Sequence, residues 1–263
     1  MIVAIIQARM GSSRLPGKVM KEIRGKPVIS YLIERLRYCN TIDRIVIAST
    51  ISKLDDPIVQ FCIENKILHY RGSEDDVLDR FYQASLVYKA THIVRLTADC
   101  PLIDPNLIDF LISSFFKTKL DHMSLGPTYP EGLDAEIFNF TSLEKSWKNA
   151  KLKTEREHVT THIWSNPTQF KCKILRHSSD YSKYRVTIDE PADFDVVKAI
   201  IGALYKKNKV FHLEEIVQYL DSHPEVFHLN KDIIRNEGLF KSIGKEKEAR
   251  KILKEYEKIR KIS

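Results

Sequence analysis

The chain begins with an unbroken apolar run, Ile2-Val3-Ala4-Ile5-Ile6, that passes directly into Gln7-Ala8-Arg9-Met10-Gly11-Ser12-Ser13-Arg14-Leu15-Pro16-Gly17-Lys18. A short β-branched run without polar alternation reads as a strand buried on both faces, the kind found inside a parallel sheet. Parallel partners are reached only through crossovers, so this strand commits the chain to alternating β and α elements. The residues after it form a cradle. Gly11, Ser12 and Ser13 let successive backbone N–H groups turn into one concavity, and Arg9, Arg14 and Lys18 bring the charge that a nucleoside triphosphate calls for.

The expected alternation follows. Strand-like runs lie at 2–6, 44–49, 67–70 and 92–97, with helical patterns at 27–38, 56–65 and 75–89 between them. They predict an α/β fold with a doubly wound, mostly parallel sheet. Ser73 before Asp76 and Thr141 before Glu144 read as helix N-caps. After Pro105 a helix over 106–116 leads into a mixed stretch, in which antiparallel strands and helices extend over the sheet's carboxyl edge, where ligands bind in open α/β folds. A further helix spans Pro191 to Lys206. We divide the chain into a main domain, 1–206, and a helical C-terminal appendage, 207–263, broken near His223-Pro224.

At 263 residues, with 43% hydrophobic and 29% charged residues, the chain can bury a large core. It has no apolar run long enough to span a membrane, and its first strand is too short for a signal peptide; a cytoplasmic location is expected. Cys39, Cys62, Cys100 and Cys172 are scattered without a CxxC pair, which indicates neither zinc nor a disulfide framework. The net charge of +7 is concentrated at the end: Lys241 to Ser263 carries nine Lys/Arg against four Glu, +5, leaving +2 for the other 240 residues. With Ile252, Tyr256 and Ile259 at helical spacing, that tail reads as a solvated amphipathic helix. Its single aromatic residue, Tyr256, sits on the apolar stripe and offers no series of rings for stacking on nucleic acid, so neither nucleic acid nor membrane is expected as a partner.

Gly11 and Gly17-Lys18 imitate a P-loop, but five residues separate the glycines and Val19 replaces the metal-binding Ser or Thr. The run A-R-x-G-S-x-R-x-P-G-K resembles instead the opening signature of nucleotidyltransferases that make activated sugars. Within them it is most similar to the cytidylyltransferases, which include the CMP-Kdo and CMP-sialate synthetases, and above all to the SpsF-like spore coat polysaccharide proteins. The resemblance covers residues 1 to about 200 and implies a nucleotide-diphospho-sugar transferase-like, Rossmann-like fold. It implies transfer of CMP from CTP to a small acidic sugar, sugar phosphate or polyol phosphate with loss of pyrophosphate, and a possible homodimer.

Two carboxylates fall just past predicted strands. Asp99, in Arg95-Leu96-Thr97-Ala98-Asp99-Cys100-Pro101, faces the same crevice as the cradle and suits Mg²⁺, which takes one or two carboxylates with phosphate oxygens and water. The resemblance assigns Asp99 to the metal through its (G/A)-D-x-P-L-I segment; a turn-capping role is the alternative. Asp189, in Arg185-Val186-Thr187-Ile188-Asp189-Glu190-Pro191-Ala192-Asp193-Phe194, is the second metal candidate, matching V-D-x-P-x-D-F, and also stands where an N-cap would. Arg14, Lys18 and Asp99 are the expected catalytic residues. Gln7, Ala8, Arg9, Gly11, Ser12, Arg14, Lys18 and Asp99, with Ser73 and Arg80 reading the base, are expected to bind nucleotide, although Asp79 and Arg80 also fit surface charge on a helix. G-L-D-x-E and R-E-H-V-T, shared with the SpsF-like group, place Asp134, Glu136, Arg156, Glu157 and His158 on the acceptor side; Asp134 and Glu136 would alternate along one strand face. Other readings are transfer from GTP or UTP to a sugar 1-phosphate, or nucleotide-sugar binding without turnover.

Overall fold

Val3, Ala4, Ile5 and Ile6 are completely buried, and their alternation splits them between two apolar cores, one on each side of the sheet: Ala4 and Ile6 in one, Val3 and Ile5 in the other. This is the doubly wound arrangement that the opening strand demanded. The computed structural model describes residues 1–207, 209–246 and 249–261.

In chain order the elements are β1 (Ile2–Gln7), β2 (Glu22–Ile23), β3 (Lys26–Pro27), α1 (Val28–Leu36), β4 (Arg44–Thr50), α2 (Asp56–Glu64), β5 (Leu68–Gly72), α3 (Val77–Val87), β6 (His92–Thr97), α4 (Pro105–Phe116), β7 (His122–Leu125), β8 (Glu136–Asn139) and α5 (Phe140–Asn149). There follow α6 (Lys153–Glu157), α7 (Thr161–Trp164), β9 (Cys172–Leu175), α8 (Pro191–Leu204), α9 (Leu213–Ser222), α10 (Pro224–Phe227), α11 (Glu237–Gly244) and α12 (Arg250–Lys261). The sheet order is β5-β4-β1-β6-β8-β7-β9; only β8 runs against the others, while β2 and β3 form a separate hairpin. The chain leaves β1 for β4 and β5 on one side and returns to β6 on the other. The crevice past the ends of β1 and β6 is therefore the switch point where open α/β sheets take ligands.

Apolar faces of α1, α2, α4, α8 and α9 cover one side of the sheet, and those of α3, α5 and α7 the other. Phe211, Leu213, Ile216 and Leu220 thus join the same core as β1. A third, small cluster joins Ile243 of α11 and Ile252 of α12 to Leu152 and Trp164. The predicted tail helix is α12, with Ile252 fully buried; Lys247, Glu248, Ile262 and the side chain of Ile259, which also belong to that reading, lie outside the described residues.

Three local readings need correction. The cap of α3 is Asp76, which accepts from Asp79 N at 2.8 Å, while Ser73 Oγ accepts from Asp76 N one turn earlier. Asn139, not Thr141, caps α5, accepting from Ser142 N at 2.7 Å; both side chains compete for the same free N–H groups and the earlier one wins. Residues 185–189 are not a strand. They thread through the interior with a single bridge to Glu131 and bends at Thr187 and Asp189, and Val186 N and Ile188 N bond to Glu131 and Asp99 carbonyls at 2.7 and 2.8 Å.

Candidate active site

The cradle grows out of the central ladder. Ala98 N donates to Gln7 O and Ala8 N to Ala48 O, so β1 stays pinned to both neighbours up to its last residue. The loop then folds on itself through Ser12 N and Gly17 N, which share Met10 O at 2.9 and 3.0 Å. Gly17, at φ 68°, sits in the left-handed region and turns the chain into a single 3-10 turn that carries Lys18 inward. A residue the sequence reading did not single out holds this loop down. Buried Asp55 accepts from Met10 N at 2.7 Å and from Thr50 N and Thr50 Oγ1 at 2.9 and 2.6 Å.

Lys18 is 9% exposed, and its Nζ lies 2.5 Å from Asp99 Oδ2 and 2.8 Å from Asp189 Oδ1. The three predicted residues, far apart in sequence, meet at one point. Burial alone would depress the Lys18 ammonium, but the two carboxylates hold it above the ordinary lysine value; burial would likewise raise Asp99, and Lys18 holds it below the ordinary carboxylate range. Asp189 is further fixed by Arg185 Nη2 at 3.0 Å and approached by Arg14 Nη2 at 3.2 Å. Arg185 is locked by Glu131 and by Asp193, whose Oδ1 it meets at 2.8 Å, a network absent from the sequence reading. Asp193 also accepts from Asp189 N and Glu190 N, which makes it the carboxylate partner of the α8 N-terminus.

The two carboxylates converge on one cation, Lys18, at the edge of the cleft, so their oxygens already face a common positive centre. Two such ligands, with phosphate oxygens and water, suit Mg²⁺. Among the described residues no cluster of three or more His, Cys, Asp or Glu forms an all-protein metal cage.

A cleft of about 730 Å³ opens above this centre, lined by Gln7, Ala8, Arg9, Ser12, Ser13, Arg14, Lys18, Arg80, Thr97, Asp99, Arg156, Glu157, His158 and Asp189 among others. Gly11 and Ser73 do not line it; Ser73 shapes the turn instead. Arg80 is no surface charge. It is 2% exposed, donates to Ser73 O at 2.6 Å, and its Nε has no partner among the described residues; burial, with Arg9 nearby, lowers its guanidinium to about 10. Arg14 also meets Glu190 at 3.1 Å and Glu237 of α11 at 2.9 Å. Arg9 stays exposed, 3.9 Å from Glu74.

On the wall beside the N-terminus of α3, Arg156 is clamped by Asp76, with Nε at 2.9 Å, and donates to Trp147 O at 2.7 Å. Burial pushes the His158 imidazole down to about 4 in spite of Glu157 beside it, and its Nε2 faces Ser242 Oγ at 3.0 Å. Ser242 also donates to Glu157 at 2.9 Å. Glu246 accepts from Lys153 N and Thr154 N at 3.1 Å, so the C-terminal segment caps α6. Lys151 and Lys153 complete this wall and were not foreseen. Asp134 and Glu136 are not brought together. Asp134 precedes β8 and holds Gly132 N and Arg235 Nη2 at 2.9 and 2.7 Å, outside the cleft. Glu136 lies behind the cleft lining, bound to Arg95, His122 and Thr160.

A sequence model of the cytidylyltransferase family matches residues 3–261. An uncharacterised protein of Methanocaldococcus jannaschii is 39% identical over 88% of this chain and 95% of its own length. The spore coat polysaccharide biosynthesis protein SpsF of Bacillus subtilis is 32% identical over 85% and 95%. Among solved structures, a cytidylyltransferase from Leptospira borgpetersenii serovar Hardjo-bovis superposes with a TM-score of 0.82 at 31% identity, covering 86% of this chain and 96% of its own. With the cradle, the paired aspartates and the parallel sheet in place, the match over nearly the whole chain shows that this protein belongs to the cytidylyltransferase family, enzymes that transfer nucleotidyl groups.

Proposed function

We propose that this chain is a Mg²⁺-dependent cytidylyltransferase that moves CMP from CTP to a sugar acid, sugar phosphate or polyol phosphate, releasing pyrophosphate, in the synthesis of a surface polysaccharide. One observation carries the reading: Lys18, Asp99 and Asp189 converge at the switch point, directly beside the cationic cradle. An acceptor oxygen attacks the α-phosphorus in line with the bond to the departing pyrophosphate, a reaction that needs positioning and charge neutralisation rather than covalent help. Arg9, Arg14 and Lys18, with Ser12, take the phosphate chain and stabilise the charge that builds on the leaving group. Arg80 reads the base: an unpartnered, buried N–H costs about 1–3 kcal/mol, which a base acceptor atom would relieve. Asp99 and Asp189 would hold Mg²⁺, whose chemistry there is to neutralise phosphate charge and sharpen the electrophile. The wall of Lys151, Lys153, Arg156 and His158 receives the acceptor. His158, neutral at pH 7 with a pKa near 4, is too weak a base to take the acceptor proton, which leaves to solvent.

The test is pyrophosphate release with CTP, UTP, GTP and ATP, with and without Mg²⁺, against sugar acids, sugar phosphates and polyol phosphates. CTP-selective, Mg²⁺-dependent release with one acceptor is expected, falling roughly 100-fold or more in Asp99→Asn. Release with another nucleotide would overturn the base assignment; nucleotide binding without release on any acceptor would favour a non-catalytic role.

A further inference from the structure

Gln7 ends β1 and lines the cleft, but its side chain leans away from the cradle and across β6. Arg95 Nε and Nη2 both donate to Gln7 Oε1, at 3.2 and 3.1 Å. A guanidinium offers donors only, so the atom it meets has to be the amide oxygen, and the amide nitrogen is turned elsewhere. No other hydrogen bond to that side chain occurs among the described residues. Arg95 is itself held: Nη1 meets Glu136 Oε2 at 2.6 Å, and Glu136 Oε1 takes Thr160 Oγ1 at 2.8 Å and faces His122 Nε2 at 3.0 Å. A polar relay thus runs through adjacent strands β8, β6 and β1 to the cleft. The charges of Arg95 and Glu136 offset one another. What the relay presents is an oriented amide, its N–H groups strengthened as donors by the cation on its oxygen.

Resting on the cytidylyl-transfer reading, we propose that Gln7, expected from the sequence to bind nucleotide, instead selects an acidic acceptor, its amide donating to an anionic oxygen of a carboxylate or phosphate, with Arg95 and Glu136 as positioning residues. The direction of the relay supports this side of the site: it runs from β1 through β6 to Glu136 of β8, which holds Thr160 at 2.8 Å, two residues past the cleft-lining His158, and His158 feels the charges of both Arg95 and Glu136.

The experiment uses the full chain and Gln7→Glu, a same-shape change that keeps an oxygen for Arg95, so a role confined to pinning the strand end survives it. Calorimetry gives the Kd for CTP; steady-state assays give KM for 3-deoxy-manno-octulosonate, N-acetylneuraminate, glycerol 3-phosphate and ribitol 5-phosphate, separating carboxylate from phosphate. The expected result is use of an anionic acceptor by the unaltered enzyme, and in Gln7→Glu a rise of roughly tenfold or more in that acceptor's KM, with CTP Kd unchanged within about twofold. Arg95→Lys, which cannot hold the amide oxygen with two donors, is expected to raise the same KM while kcat changes little. An unchanged acceptor KM in Gln7→Glu, an equal loss of CTP affinity, or turnover of a neutral acceptor only would overturn the inference and leave cytidylyl transfer standing. An unaltered enzyme that binds CTP yet neither turns over nor binds any of the four acids would overturn both.

Discussion

Glu136 shows how one side chain can belong to both stability and function. Burial raises the cost of its charge, but Arg95 and His122 more than offset this and pull the carboxyl from 4.5 down to about 2. A folded-state pKa below the unfolded one gives stability that is complete above about pH 4.5 and disappears as pH falls toward 2, on the order of 3 kcal/mol over that range. Thermal melts from pH 7 to 2 are therefore expected to show a steep acid limb that Glu136→Gln flattens; an identical limb in the variant would show that other carboxylates govern it. Glu136 was marked as an acceptor ligand on the G-L-D-x-E resemblance, with its spacing from Asp134 suiting a strand face. The structure denies that face, since Gly132, at φ 104°, bends the chain so that Asp134 turns to Arg235. Sequence spacing carries no information on such a turn.

The cradle, as an element, was readable because its chemistry is contiguous: small residues, cations and Gly17 follow one another in the chain. What holds it was not, because Asp55 acts from 45 residues away on the turn after β4. Asp55→Ala would strand Met10 N and Thr50 N without an acceptor. It is expected to cost about 2–4 kcal/mol in chemical denaturation and to raise the KM for CTP, because the loop loses its anchor. A stable variant with unaltered KM would show that the loop is held by its own turns. The 185–189 segment teaches the same lesson. Its alternation resembled a strand, yet its partners are Glu131, Asp99 and a buried arginine–carboxylate network rather than a neighbouring strand.

At the scale of the molecule, alternating β and α patterns made the parallel half of the sheet legible, since each element's periodicity is local. Antiparallel strands after Pro105 were also legible, but they were placed over the carboxyl edge; the insertion of β8 between β6 and β7 and the docking of the C-terminal helices depend on contacts between distant residues, and they were not legible. Those helices touch both walls of the cleft, through Glu237 on Arg14 and Ser242 on Glu157 and His158. Deleting residues from 237 onward would bare Leu152 and Trp164 and uncap α6. The expected result is a melting temperature lower by roughly 5–10 °C, increased binding of an apolar dye and reduced turnover; an unchanged melt would mean the helices ride on the surface without supporting it. The strand order has a consequence for how the protein is made. β1, the strand that must end up between two others, is synthesised before both of its neighbours, β4 and β6. Until β6 has emerged, the apolar residues Val3 to Ile6 have no finished slot and the cradle no floor, so the unfinished chain carries an adhesive segment that the completed sheet conceals.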